Sequence, residues 1–393
     1  MLPNFLKAKI ERNVTFLSLG FALIFFGYNA VQQFITPYFA QSGSKNLGFY
    51  SLILIYLFFF LGSPISAVIV SKIGAKKAMF WGGLVYAVFI FSLMLKIPLL
   101  IYPMSALVGL AASFLWTGQN NYIVKASEEK SYGTNSGYFN SFLTVGSATG
   151  SLVLGILFAK FSPAFSFALF SLFPILGVLI ILQLIDLKTV DQKASQLALV
   201  RKAITSVSAL KLSAFYFAFS FIFGQVIGII PIEIARTLSI AYVGLLSFVF
   251  WIMPILLSYI VGRLSDIKGR KPLILTAYGV SILGLIFLFY SNIPAFLVLG
   301  IFLVAISYAI FSPISFALVG EFSIEKNLLA ITALFWMARN VGVLLALLIS
   351  SQIQSRPIYL VSILIVLVSL AILFPILKVD PNTIKAKLAE EIK

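Results

Sequence analysis

Gly262-Arg263-Leu264-Ser265-Asp266-Ile267-Lys268-Gly269-Arg270-Lys271 is a short charged run held between two long apolar segments. A weaker copy, Ala67-Val68-Ile69-Val70-Ser71-Lys72-Ile73-Gly74-Ala75-Lys76-Lys77, stands earlier in the chain. Gly269 follows Gly74 by 195 positions, and Asp266 follows Ser71 by the same 195. In a chain of 393 residues that offset is half the length. Other pairs agree with it: Ile97-Pro98 with Ile293-Pro294 and Gly146 with Gly342 at 196, and Phe26-Gly27 with Phe223-Gly224 at 197. A loop that recurs at half-length among apolar segments predicts a duplicated helical membrane fold.

Composition supports this reading. Hydrophobic residues make up 61% of the chain and charged residues 10%, against about a quarter charged in soluble domains. Mean hydropathy is +1.08. The absence of cysteine excludes disulfides, thiolate nucleophiles and cysteine metal sites. The absence of histidine removes the commonest metal ligand and general base. No nucleophile, base and orienting group converge in the sequence, so an enzyme is not expected, nor a cofactor or bound metal.

A membrane-crossing helix needs about 20 mostly apolar residues. Twelve segments qualify. The first six are 14–39, 47–70, 78–95, 99–123, 137–158 and 164–184. The second six are 210–235, 241–261, 272–290, 293–319, 328–351 and 358–377. The basic stretch 1–13 has no cleavage pattern after it and reads as the flank of a retained first span. The expected fold is therefore an all-α membrane protein, with twelve transmembrane helices in two pseudo-symmetric six-helix bundles. The expected division is 1–184 for one bundle, 185–209 for a polar linker, and 210–393 for the second bundle with its tail. Within the linker, 195–203 reads as a surface helix, because Leu197, Val200 and Ile204 recur at helical spacing.

Lys and Arg set the orientation. With the N-terminus inside, the outer loops hold only Lys45, Lys96, Lys160, Arg236 and Arg356, while Arg339 lies within a helix. All remaining Lys and Arg fall on the inner side. Both termini are expected in the cytoplasm of a multi-pass cell-membrane protein. The net charge of +16 then serves topology and anionic lipid rather than nucleic acid.

Polar residues inside the spans are the candidates for a site. Asn29, Gln32, Gln33 and Thr36 form one helical stripe. Ser113, Thr117, Gln119, Asn120 and Asn121 cluster in the fourth span, and Asn140, Thr144, Ser147 and Ser151 share a face of the fifth. These stripes either line a central polar path or join helices by hydrogen bonds. Arg339 lies near the middle of the eleventh span with Thr332 and Trp336 on its face. A charge there costs at least about 2.5 kcal/mol, so it needs a partner or a wet cavity. It either binds an anionic group of a solute or pairs structurally with Glu233 or backbone carbonyls. The expected binding set is Asn29, Gln32, Gln119, Asn120, Asn140 and Arg339.

The charged run itself reads as a conformational latch built from Gly262, Asp266, Gly269 and Arg270. Gly262 permits close helix contact, Gly269 a tight turn, and Asp266 can accept from a helix N-terminus or a nearby Arg. The plainer alternative is a charged loop set by topology.

This run resembles the loop motif of the major facilitator superfamily, which falls between helices two and three and recurs between eight and nine. The first copy departs from it, with Ala67 for the glycine and Ser71 for the aspartate. A narrower resemblance lies in Leu115-Trp116-Thr117-Gly118-Gln119-Asn120-Asn121-Tyr122, which is similar to a helix-four pattern of the Unc ninety-three ("uncoordinated", ion-channel-regulatory) family. Asn120 replaces that family's glycine. Asn29, Gln32, Thr36, Pro37 and Leu47-Gly48 look similar as well. The resemblance implies alternating access around a midplane site in a lipid bilayer, for a small organic solute that Arg339 and the many aromatics would make anionic or amphiphilic. It also implies a second reading, a non-transporting scaffold whose partner is a membrane channel or receptor.

Overall fold

The computed structural model describes residues 4–41, 45–187, 196–238, 241–353 and 356–392. The first bundle holds α1 (Asn4–Gln41), α2 (Lys45–Ile73), α3 (Ala75–Leu93), α4 (Pro98–Lys125), α5 (Tyr132–Lys160) and α6 (Pro163–Ile181). A short helix, α7 (Gln196–Thr205), precedes the second bundle. That bundle holds α8 (Val207–Ile227), α9 (Ile230–Thr237), α10 (Ala241–Lys268), α11 (Arg270–Phe289), α12 (Pro294–Glu321), α13 (Leu328–Gln352) and α14 (Pro357–Leu373). A tail helix, α15 (Pro381–Glu391), closes the chain. Among the described residues, eleven helical segments are long and apolar enough to cross a membrane, and α14 adds a shorter one of 17 residues. In hydrocarbon the backbone must satisfy its own polar groups, which is why these apolar runs become helices.

The packing repeats with the sequence. α1 lies against α5 and α6, as α8 lies against α13 and α14. α4 packs on α2 and α3, as α12 packs on α10 and α11. The paired positions behave alike in detail. Gly74 (φ 88°) and Gly269 (φ 80°) each cap the helix that follows. Ile97 and Ile293 share φ −94° ahead of a first-turn proline. A Cβ on Gly146 would meet the Ala22 carbonyl oxygen, and one on Gly342 would meet that of Phe217. Both glycines thus let one helix backbone lie directly on another. Gly27 and Gly224 are less alike: the first faces α6 and the second α13.

Between the bundles, α5 runs along α10 and α2 along α13. α7 bridges α2 and α13. With twelve crossings, α1 starts and α14 ends on one face, here called the termini face, where α7, α15 and both basic junctions also lie. The opposite face is the far face.

Several expectations need correcting. The charged run is not a loop. Residues 262–268 continue α10 and Arg270 opens α11, which leaves Gly269 alone outside helix. Its positive φ reverses the chain in one residue, which an L side chain could do only with strain. The seventh span is two helices, α8 and α9, separated at Gly228, with Pro231 removing a backbone donor just beyond. α7 exists, but it buries Leu199, Val200 and Ala203 and exposes Leu197 and Ile204. Spacing placed a stripe on the helix, whereas the groove between α2 and α13 chose which stripe docks. Linker positions 188–195 lie outside the described residues.

Candidate functional site

A cavity of about 70 Å³ lies between the bundles. α1 gives it Tyr28, Asn29 and Gln32, α2 gives Tyr56 and Phe59, and α4 gives Trp116. From the second bundle come Trp251 of α10, Tyr308 and Ser312 of α12, and Trp336, Arg339 and Asn340 of α13. Three of the chain's four Trp residues therefore line it. The wall is aromatic with a few polar tips, as small-molecule sites tend to be.

Arg339 is held by rings rather than by an acid. Its guanidinium carbon lies 4.5 Å from the Trp336 ring centroid and 5.3 Å from that of Phe311, a cation–π arrangement that fixes its direction. It donates weakly to Ser315 Oγ at 3.5 Å, and Tyr308 shares the cavity lining with it. No carboxylate within 4.0 Å pairs with it among the described residues. The expected structural alternative, a pair with Glu233, is excluded. Glu233 instead accepts from the Tyr359 hydroxyl at 2.6 Å.

The other lining polar groups divide by state. Asn29 donates to Ser147 Oγ at 2.7 Å, and Gln32 donates to the Tyr56 hydroxyl at 3.0 Å. Three buried donors on the lining have no partner: Trp251 Nε1, Trp336 Nε1 and Asn340 Nδ2. A buried donor left unpaired costs about 1–3 kcal/mol. Four donor-bearing side chains thus belong to a lining that holds no carboxylate among the described residues.

Aromatic stacking closes the cavity toward the termini face. Trp336 of α13 lies 5.2 Å from Phe59 of α2 and 5.0 Å from Trp116 of α4, between ring centroids. Phe316 of α12 meets Phe139 of α5 at 5.6 Å. Each of these pairs crosses between bundles.

Beyond that layer stands Asp266, at the end of α10. One carboxylate oxygen accepts from the Gly133 N–H at 3.1 Å. The other accepts from the Thr134 N–H at 2.7 Å and its hydroxyl at 2.8 Å. The carboxylate thereby caps the N-terminus of α5, where the helix dipole favours negative charge. Arg270 donates to Asp266 at 2.8 Å and to Glu321 at 3.0 Å. Gly262 makes this approach feasible, since a Cβ there would sit 2.2 Å from the Gly133 carbonyl oxygen. Lys125 and Glu325 add a longer pair at 3.9 Å. The first copy of the motif makes no such link: the Ser71 hydroxyl donates to its own helix, at Val68.

Of the six expected binding residues, Asn29, Gln32 and Arg339 meet in the cavity, and the other three do not. Asn140 lies between α5, α10 and α12, donating to Ser258 Oγ at 2.7 Å and accepting from Ser312 at 2.5 Å. Both polar atoms of its amide are thus bonded to neighbours, and it joins the bundles. Gln119 and Asn120 are buried in α4 away from the lining, with both amide atoms of Gln119 and Oδ1 of Asn120 unpartnered. The sequence reading missed Tyr56, Tyr308, Trp251 and Asn340. Asn340 was signalled by its place beside Arg339. The aromatics carried no signal in so apolar a chain, because their polar tips count for little in hydropathy.

Residues 17–232 and 212–392 match the family model described as Major Facilitator Superfamily. UNC93-like protein MFSD11 of Xenopus tropicalis is 29% identical over 145 residues, covering 36% of this chain and 33% of that protein. UNC93-like protein 3 of Arabidopsis thaliana is 32% identical over 126 residues, covering 32% of this chain and 26% of the relative. The matched part thus spans a third or less of these curated relatives. Among solved structures, the proton:xylose symporter XylE superposes with a TM-score of 0.75 at 11% identity, over 94% of this chain and 96% of its own. The human organic anion transporter MFSD10 superposes with a TM-score of 0.73 at 14% identity, over 95% of this chain and 100% of its own. At such identities the likeness speaks for the fold alone.

Proposed function

The chain belongs to the major facilitator superfamily, and from that premise we propose that it carries a small organic anion with an aromatic or apolar body across the cell membrane by alternating access. The observation behind this is the Arg339 guanidinium, which lines the cavity with no acidic partner among the described residues. Trp251, Trp336 and Asn340 of the same lining carry further unmet N–H groups. A carboxylate or similar acceptor-rich head pairs with Arg339 and neutralises a charge that is expensive at mid-membrane. The aromatic wall takes the rest of the solute. Asn29 and Gln32, already oriented by Ser147 and Tyr56, supply its polar contacts from the first bundle.

Alternating access needs a seal that opens. Asp266, Gly262, Gly269 and Arg270 form the latch of the termini face, and the Trp336 layer forms the seal beneath it. The basic termini face is the cytoplasmic one.

The test is a thermal-shift screen of the purified full chain against paired organic anions and their uncharged analogues. A ligand at one hundred times its Kd stabilises by about 2.7 kcal/mol. Anions raise Tm, their neutral analogues do not, and Arg339→Gln loses the response. Equal response to neutral analogues, or an intact response in Arg339→Gln, would refute the proposal. The second reading, a scaffold for a channel or receptor, draws on the UNC93-like relatives and predicts that no solute in the screen shifts Tm.

A further inference from the structure

A second cavity, of about 190 Å³, lies inside the second bundle at the termini face. Its interior is apolar: Leu212, Phe215, Ile274, Leu318, Leu373 and Ile384 line it, and each is less than one-tenth exposed. α15 forms its lid through Pro381 and Ile384. The mouth is basic. Lys268 and Lys271 are exposed at its rim, and neither has an acid within 4.0 Å among the described residues. The one carboxylate on the lining, Glu321, is already bonded to Arg270.

An apolar interior with an unpaired cationic rim matches one ligand chemistry. We infer that this cavity binds a single-chain anionic amphiphile of the acyl carboxylate type, with its head at Lys268 and Lys271 and its chain between Phe215, Leu318 and Ile384. The ligand also touches the latch. Arg270 and Glu321 belong to this lining and to an adjoining polar vestibule of about 220 Å³ that reaches Tyr132 of α5. A bound chain therefore braces the α11 start and α15, and holds Arg270 on Asp266. This site is separate from the central cavity and stands whether or not the solute proposal does.

Binding of labelled dodecanoate to the full chain in nanodiscs tests it, with dodecanol as the uncharged comparison. In the Arg339→Gln background, which removes the central anion site, the expected result is one saturable dodecanoate site, with dodecanol bound at least about tenfold more weakly, a difference of about 1.4 kcal/mol. In that background the added pair Lys268→Gln, Lys271→Gln weakens dodecanoate by a similar factor, and Ile384→Trp fills the cavity and abolishes binding. Equal affinity for dodecanol would overturn the inference, as would binding untouched by the lysine variant, which is exposed and leaves the fold intact. Loss in Arg339→Gln would place dodecanoate in the central cavity and overturn it equally.

Discussion

Two residues with similar sequence credentials end in opposite circumstances. Arg339 and Asn140 are both polar groups deep in apolar helices, yet Asn140 has its bonds satisfied by Ser258 and Ser312 while Arg339 has only rings and a hydroxyl. Helical spacing reveals which residues share a stripe, but not whether the facing helix answers their hydrogen bonds. The stripe Asn29, Gln32, Gln33, Thr36 was legible because it turned inward as a whole. Its division was not, since Gln33 receives Ser247 of α10 and only Asn29 and Gln32 reach the cavity. Asn140→Leu removes the bridge and strands Ser258 and Ser312, so it lowers stability by about 1–3 kcal/mol. Chemical denaturation in detergent should read that loss, with anion binding per folded molecule retained. Arg339→Lys, by contrast, keeps the charge but gives up the planar fork that lies on Trp336 and faces the head group. It should weaken anion binding by about tenfold or more, measured by titration.

At the scale of elements, the α5–α10 seam governs the termini face. Gly133 and Gly137 of α5 lie on the α10 backbone, and a Cβ on Gly137 would sit 2.4 Å from the Ser258 carbonyl oxygen. Neither backbone can give way without parting the helices. Asp266 then adds the α5 cap and the Arg270 pair. Asp266→Asn retains the shape but loses the charge, which is worth on the order of 1–2 kcal/mol at a partly buried helix terminus. It should shift the population toward the state open at the termini face by about five- to thirtyfold, read by spin-label distances across α5 and α10. The tail helix carries its own signature. Burial alone would raise the Glu391 carboxyl, but the Ser206 and Ser208 hydroxyls and Lys387 outweigh it and hold the group below its ordinary range. A depressed carboxyl stabilises the docked form above its unfolded pKa, and that contribution is lost as pH falls through the folded value. Hydrogen-exchange protection in 381–391, taken relative to the intrinsic rate at each pH, should therefore fall on acidification below the ordinary value of 4.5, and Glu391→Gln should remove this dependence. α15 and the α8–α9 break were not legible in advance. The first is too polar to register as a span, and the second is a local effect of Gly228 and Pro231 within a continuous apolar run.

For the whole molecule, the duplication was the most readable feature. Gly74 and Gly269, or Ile97 and Ile293, adopt near-identical backbone at the half-length offset, because each performs the same junction in its own bundle. The two copies diverge where function separates them. Asp266 crosses between bundles whereas Ser71 bonds within its helix, so among the described residues only one of the two related seams, α5–α10, is held by charge. That asymmetry fits a carrier whose termini face is the regulated gate. The chain's lack of cysteine makes it a ready background for labels. Spin labels at Lys130→Cys with Lys326→Cys report the termini face, and labels at Tyr50→Cys with Tyr242→Cys report the far face. The decisive measurement is the pair of distance distributions recorded with and without an anion that shifts Tm. Alternating access predicts two populations at each face that exchange in opposite senses, one face widening as the other narrows. A single unchanging distance at both faces under every condition would contradict it.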